Sequence, residues 1–148
     1  MNMVTGCVDV EYQGDKENIM LKYEIWEEGT LKMESDTLST SIKENEFNGE
    51  ISISLKDIND YMESSELMEL TAAIRTDSGY FSNSILIDRY SKEYANSPSN
   101  LEKEINATED EEISIWGLIA GDTLSVGEDI EKSVKESKWG LIVKLYFD

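Results

Sequence analysis

Hydrophobic and polar residues alternate along most of the first half of the chain. Val8, Val10 and Tyr12 are separated by acidic residues, and the segment from Ile19 to Trp26 keeps the same period of two. This alternation is typical of strands with one buried and one solvent-facing side. Further strands are predicted over residues 31–42, 50–55, 67–76, 80–90, 113–119 and 139–147. The last of these is continuously apolar, which predicts a central position in its sheet.

Two short polar segments predict tight turns between neighbouring strands. In Glu27-Glu28-Gly29-Thr30, the glycine is free to adopt a positive φ angle. Thr76-Asp77-Ser78-Gly79 is the stronger hairpin signal, and Gly79 is expected at the left-handed position of its loop. These turns favour antiparallel pairing of the strands on either side.

Helical patterns are confined to a few segments. Ser125 and Glu128 have the spacing of a capping box, which predicts a helix that runs to about Ser137. Shorter helices are predicted over 56–66 and over 101–105. The fold class we expect is therefore α+β, predominantly antiparallel β-sheet, with one helix near 125–137 and one or two short helices.

The polar segment 91–112 contains Pro98 and is expected to be a long loop around the predicted helix at 101–105. A second feature is a short internal repeat, in which Trp116-Gly117-Leu118-Ile119 recurs as Trp139-Gly140-Leu141-Ile142. Two matches are too few for a solenoid repeat. We interpret them as two strands paired around one helix, with each glycine admitting an aromatic ring.

Length and composition indicate one acidic, β-rich domain over 1–148, because 148 residues is close to the commonest domain size. No apolar run approaches the ~20 residues of a membrane span. Cys7 is the only cysteine, so no intrachain disulfide can form and a cytoplasmic location is expected. The alternation around Cys7 predicts a small buried side chain there.

The net charge of the chain has the strongest bearing on its function. The chain has 32 acidic and 13 basic residues, no histidine, and a formal net charge of −19. Such a surface repels nucleic acid and anionic lipid, so direct contact with either is not expected. Histidine is the side chain best suited to proton transfer near neutral pH. Its absence favours a binding protein over an enzyme.

The acidity is unevenly distributed along the chain. Residues 9–36 carry nine acids and three lysines, 43–69 eight acids and two lysines, and 101–136 eleven acids and three lysines. Residues 75–98, in contrast, carry three acids and three bases. We therefore expect a polarised electric field around the molecule, with a neutral region built from the hairpin.

The sequence offers few candidate residues for metal binding or catalysis. The run Glu109-Asp110-Glu111-Glu112 would attract hard cations, but it lacks the spacing of a calcium loop. Zinc would need more Cys or His ligands than the chain has. No Gly-rich phosphate loop and no convincing serine nucleophile with a base is present. No catalytic residue, metal or cofactor is therefore predicted.

Acidic rows offer a physical basis for partner binding. Carboxylates at i and i+2 on a strand, such as Asp9 and Glu11, lie about 6.6 Å apart on one face. Several such rows can resemble a phosphate backbone to a basic groove. The alternative is that the acids only keep the protein soluble.

The favoured hypothesis is a non-catalytic inhibitor of a basic protein, such as a nuclease or another nucleic-acid-binding enzyme. Immunity proteins and phage anti-defence proteins act in this way. The partner-binding residues we predict are Glu109, Asp110, Glu111, Glu112, Glu27 and Glu28.

The competing hypothesis is a structural or assembly subunit that forms a homo-oligomer through the neutral 75–98 hairpin region. Tyrosine and arginine are enriched at binding hot spots. The residues of this alternative interface are Arg75, Tyr80, Phe81, Arg89, Tyr90 and Tyr94. Alternate members of the set are expected to pack inward if the hairpin is half-buried.

Overall fold

The computed structural model describes residues 3–58, 67–101, 103–124, 127 and 129–148. Most of these residues lie in antiparallel strands, as the alternation predicts. The strands are β1 (Met3–Gln13), β2 (Asn18–Glu27), β3 (Thr30–Ser41), β4 (Glu46–Asp57), β5 (Leu67–Thr76), β6 (Gly79–Asp88), β7 (Ala95–Asn100), β8 (Ile113–Gly121) and β9 (Trp139–Phe147). One helix, α1 (Ile130–Glu136), is present among the described residues.

The strands form two sheets that pack face to face. One sheet has four strands in the order β1-β4-β5-β6, and the other has five in the order β3-β2-β9-β8-β7. All neighbouring strands are antiparallel. A single large apolar cluster draws its residues from both sheets, so the main core is the layer between them.

Alternation decides which side chains enter that core. Leu21 and Tyr23 of β2 point inward, and so do Leu141 and Val143 of β9. The intervening residues of both strands face the opposite side of the five-stranded sheet. The central position predicted for the 139–147 strand is confirmed, because β9 lies third of five and pairs with β2 and β8.

The helix covers part of the outer face of the five-stranded sheet. Its N-cap is Asp129, whose side chain accepts a hydrogen bond of 3.1 Å from the backbone N–H of Lys132. The predicted start at residue 125 is therefore wrong for α1, although the predicted end is close to the C-cap at Ser137. The proposed cap residues Ser125 and Glu128 lie outside the described residues.

Two glycines let α1 approach the sheet closely. Gly117 and Gly140 belong to the paired strands β8 and β9, and both lie beneath the helix. A Cβ atom at Gly140 would meet Val134, and one at Gly117 would lie 2.7 Å from a methyl group of Ile130. The repeated sequence does form two paired strands beside a helix. The glycines, however, admit aliphatic side chains of the helix and not an aromatic ring.

The polar segment 91–112 differs from its prediction. Pro98 lies in β7, which pairs only with β8 at the edge of its sheet. A proline is tolerated there because one side of an edge strand needs no backbone donor. Residues 101 and 103–107 form no helix. The helix predicted over 56–66 falls mainly on residues 59–66, which lie outside the described residues.

Both predicted hairpins are present, but only one uses its glycine as expected. The turn between β2 and β3 has positive φ angles at Glu28 (50°) and Gly29 (81°). The turn between β5 and β6 consists of Asp77 and Ser78, and Gly79 already belongs to β6 without a positive φ. The expectation for Gly79 is wrong because the register pairs it directly with Thr76.

Candidate protein-binding surface

The β1–β2, β3–β4 and β5–β6 turns lie together at one end of the sandwich. The β1–β2 turn donates from the backbone N–H of Gly14 to the carbonyl of Asn45 in the β3–β4 turn, at 3.0 Å. The backbone carbonyl of Asp148 accepts hydrogen bonds from the N–H groups of Glu17 and Asn18 in the same region. We call this region the acidic end.

The acidic end displays many more carboxylates than cations. Its acids are Glu11, Asp15, Glu17, Glu44, Glu46, Asp77, Glu109, Asp110, Glu111 and Asp148, all exposed except the half-buried Glu109. The basic residues of these same turns are Lys16 and Lys43. The resulting local field is strongly negative, and it comes from segments far apart in the sequence.

The opposite end, which we call the mixed end, is close to balanced among the described residues. Its acids are Glu27, Glu28, Asp57, Glu69, Asp88, Glu93 and Asp122, and its bases are Lys32, Lys56, Arg89, Lys92 and Lys138. Asp60, Glu63 and Glu66 lie outside the described residues. Over the part of the chain that the structure covers, negative charge is thus concentrated at one end of the sandwich.

Three members of the predicted acidic run make contacts within the protein. Glu109 accepts a hydrogen bond from the Tyr12 hydroxyl at 2.5 Å, and Asp110 lies 3.4 Å from the ammonium group of Lys16. Glu112 lies 2.8 Å from the ammonium group of Lys22. These contacts hold the segment before β8 against both sheets. Asp110 nevertheless keeps 81% of its side chain exposed.

Glu27 and Glu28 are distant from that run. Glu112 contacts Lys22, and Glu27 follows five residues later along β2, which is about 17 Å at the usual rise per residue. Both glutamates are exposed in the turn at the mixed end. The structure therefore does not bring the two groups of predicted acidic residues together.

The residues of the alternative interface are also divided. Arg75 and Tyr80 are opposite each other in the β5–β6 pair, on the outer face of the four-stranded sheet. Phe81 is 45% exposed and pairs with Ile74 on the other face. The remaining three residues, Arg89, Tyr90 and Tyr94, lie at the mixed end.

Two of those three residues have structural roles. Tyr90 is buried, and its ring packs at 4.9 Å from that of Trp139. Arg89 donates to Asp57 at 2.7 Å and to the Tyr90 carbonyl at 2.9 Å. Its guanidinium also lies 4.7 Å from the centre of the Tyr90 ring. Tyr94 is half-buried, which leaves it partly accessible.

The outer face of the five-stranded sheet holds a buried charge cluster that the sequence analysis did not identify. Glu24 is 3% exposed and lies 3.4 Å from Lys22 and 3.1 Å from Lys144, both of which are buried. Trp26 also donates its indole N–H to Glu24 at 2.9 Å. The available signal was Lys144, a charged residue inside an otherwise apolar strand.

The cluster shifts the pKa of its members. Burial opposes the ionisation of Glu24, but hydrogen bonds from Trp26 and Lys144 and the two lysine charges outweigh it and lower the pKa. Burial likewise opposes the charged form of Lys22, while Glu112 and other carboxylates raise its pKa. Both groups are therefore held in their charged forms at neutral pH.

The cluster also ties α1 to the sheet. Glu131 of the helix contacts Lys135 at 2.9 Å and Lys144 at 3.4 Å. The Lys135 ammonium group lies 4.8 Å from the centre of the Trp26 ring. At the edge of this face, Tyr146 donates to Asp36 at 2.6 Å. These contacts fix the helix position and leave the cluster little accessible to a ligand.

Cys7 is exposed on the outer face of the four-stranded sheet, so the prediction of a buried side chain is wrong. The alternation is correct, but nothing among the described residues covers this face. Although the side chain is exposed, slight desolvation by its neighbours and a hydrogen bond with Glu50 raise the pKa of the Cys7 thiol. A raised pKa disfavours the reactive thiolate.

Among the described residues, no group of three or more Cys, Asp or Glu side chains is arranged to hold a metal ion. The described part of the chain also contains no helix with the length and apolar character of a membrane span. Among the described residues, the acidic end is the surface feature that indicates most about a binding partner, because exposed carboxylates are concentrated there.

Comparisons with known proteins do not add to these observations. The chain matches no protein-family model, and no curated protein or solved structure is significantly similar to it. Function must therefore be inferred from the surface itself.

Proposed function

We propose that this protein is a non-catalytic binding protein of the cytoplasm whose acidic end engages a basic protein partner. The partner class that fits is a nuclease or another enzyme that processes nucleic acids, which the protein inhibits or neutralises. An immunity-type inhibitor of a toxin and a phage anti-defence inhibitor are the two forms of this function. The observation that carries the proposal is the concentration of exposed carboxylates at one end of the sandwich.

Electrostatics supports this mode of action. A field of one sign that is focused at one end accelerates encounter with a basic surface and orients the approach. Enzymes that act on nucleic acids display such basic surfaces to bind phosphates. A set of carboxylates on the turns that connect the strands of two packed sheets can occupy a phosphate-binding channel without any bond being made or broken.

The experiment is affinity capture from lysate of the source cell with two matched variants. The acidic-end quartet is Asp15→Asn, Glu17→Gln, Glu44→Gln and Glu111→Gln. The mixed-end quartet is Glu27→Gln, Glu28→Gln, Asp88→Asn and Glu93→Gln. All eight positions are exposed, and each quartet removes the same charge.

We expect the unmodified protein to capture a basic, nucleic-acid-processing protein at about 0.1 M NaCl and to lose it at about 0.5 M, where screening is strong. The acidic-end quartet should lose the partner, and the mixed-end quartet should retain it. Capture that is unaffected by salt, or equal loss in both quartets, would contradict the proposal.

A second candidate is the assembly subunit that forms a homo-oligomer. The outer face of the four-stranded sheet supports it, because Tyr80 is 65% exposed and Leu86 is 56% exposed there. Light scattering coupled to size-exclusion chromatography separates the two proposals. A monomer at high protein concentration would reject the oligomer, whereas an oligomer that persists in high salt and is lost in Leu86→Ser would favour it.

A further inference from the structure

A cleft of about 370 Å³ opens beside β1, where the segment before β8 crosses the gap between the two sheets. Its apolar lining includes Val8 and Val10 of β1, Leu101 and Ile105 of that segment, Ile115 of β8 and Leu145 of β9. The volume falls within the range of small-ligand and side-chain pockets, about 300–1,000 Å³. The cleft therefore has room for an aliphatic side chain.

The charged residues at the cleft are all acidic among the described residues, and Gln13 adds a neutral amide to the lining. Asp9, Glu11 and Glu109 contribute to its lining, and no lysine or arginine does so among the described residues. The same carboxylates belong to, or adjoin, the acidic end. Because Val8 and Val10 pack against the core, alternation along β1 turns the Asp9 and Glu11 side chains to the outer face of the sheet, so these carboxylates border the cleft at the β1 edge. An apolar cleft bordered by carboxylates complements an aliphatic group that is flanked by positive charges.

The cleft is largely preformed. Tyr12 stacks on Phe147 with ring centres 4.3 Å apart, and its hydroxyl donates to Glu109. The hydrogen bond holds Glu109 of the segment before β8 in position, and the stacked rings join β1 to β9 beside the cleft, so little ordering is needed when a ligand enters. Ile105, in contrast, is 48% exposed at this cleft. Its apolar surface would leave water when the cleft is filled.

We propose that the cleft receives an aliphatic side chain of the basic partner, from a segment in which that residue lies between lysines or arginines. This inference rests on the proposed function, because the partner supplies the segment. It adds an apolar anchor to an interaction that would otherwise depend on charge alone. Buried anchors of this kind contribute more to affinity than exposed charge pairs do.

The test uses two synthetic probes and the full chain. One peptide is Arg-Arg-Leu-Arg-Arg and the other has serine in place of leucine, so that their charges are equal. Calorimetry measures their affinity for the unmodified protein, for Ile105→Ser at the cleft, and for Leu86→Ser as a control. Leu86 is a similarly exposed aliphatic residue on β6, at the opposite edge of the four-stranded sheet from β1 and on its outer face, so its loss should not affect the cleft.

We expect the leucine peptide to bind the unmodified protein at least about tenfold more tightly than the serine peptide, which is the effect of burying one aliphatic group. Ile105→Ser should remove most of this difference, and Leu86→Ser should preserve it. Amide NMR shifts on leucine-peptide binding should concentrate around Val8, Val10 and Ile115.

Other outcomes overturn the inference in distinct ways. Equal binding of both peptides would reject the apolar anchor and leave the charge-based function intact. Undetectable binding of both peptides would reject the cleft as a site for such segments. Failure of the lysate capture would contradict the proposed function. The peptide experiment tests the cleft independently, because it does not require the partner.

Discussion

The most unusual residue of this protein is Glu24, a carboxylate buried between two lysines on a sheet face that also carries a helix. Paired buried charges often contribute little net stability, because desolvation offsets their attraction. Removing one partner is a different matter, since the remaining charges stay buried without compensation. The period of two predicted for residues 19–26 implies that Lys22, Glu24 and Trp26 share one face, but it could not show that Lys144 of a distant strand completes the cluster.

We expect Glu24→Gln to lower the free energy of unfolding by about 3 kcal/mol. The substitution removes the carboxylate that Lys22 and Lys144 share, so that both buried lysine charges are less well compensated. Lys56→Gln is the control, since the side chains of the Lys56–Glu69 pair are 53% and 30% exposed, far more than those of the buried cluster. That change should cost under about 1 kcal/mol. Urea denaturation measures both, and equal effects would contradict the structural role given to the cluster.

Tyr146 gives stability a dependence on alkaline pH. Its hydrogen bond to Asp36, with burial and the negative charge of that carboxylate, raises the pKa of Tyr146 from 10 to about 12. A raised folded-state pKa stabilises the fold fully below the unfolded pKa, and this contribution is lost as pH rises through the folded pKa. Stability should therefore fall between about pH 10 and 12.

Tyr146→Phe should flatten this alkaline decrease, because it removes the titrating hydroxyl. Thermal melts recorded across the same pH range measure the effect. An unchanged slope in Tyr146→Phe would show that other groups, such as Lys22 with its raised pKa, cause the loss of stability.

At the scale of strands and helices, the alternation of apolar and polar residues predicted most strands and hairpins. The strand around Pro98 and the start of the helix depend on their position in the fold and were not predicted. The segment around Pro98 has little strand character, yet it pairs with β8 because an edge strand tolerates proline. The helix begins at Ile130 after the Asp129 N-cap, and this start places Ile130 and Val134 against Gly117 and Gly140. The sequence shows these glycines but not the partner that lies above them.

We predict that Gly140→Ala will destabilise the fold by about 1–3 kcal/mol, because the added methyl group overlaps Val134 and lies 3.0 Å from its backbone oxygen. Val134→Ala should cost less in Gly140→Ala than in the unmodified protein, because it removes the overlapping methyl groups, and this difference would show that the two sites are coupled. Gly79→Ala is the control, since its Cβ would make only ordinary contacts at 3.4 Å. Additive losses in the double variant would contradict the close packing of α1.

At the scale of the whole molecule, the net charge of −19 and its placement determine the physical behaviour. The uneven charge along the sequence indicated a polarised field. It could not show that turns around residues 15, 44, 77 and 110 meet at one end, because that depends on the pairing of distant strands. The same pairing separates Glu27 and Glu28 from the 109–112 run.

Repulsion among the clustered carboxylates should make stability depend on salt. We expect the urea midpoint of the unmodified protein to rise between about 0.02 and 0.5 M NaCl as screening increases. The rise should be smaller in the acidic-end quartet than in the mixed-end quartet, although both have the same net charge. Equal salt responses would indicate that the carboxylates repel one another no more strongly at the acidic end than elsewhere.

The most direct measurement is the association rate constant with the captured partner, recorded for the unmodified protein and for both quartets over a range of NaCl concentrations. If the acidic end guides binding, the acidic-end quartet should associate at least about tenfold more slowly at low salt and lose most of its salt dependence. The mixed-end quartet should behave like the unmodified protein. Identical rates for the two quartets would contradict the claim that this protein acts through its acidic end.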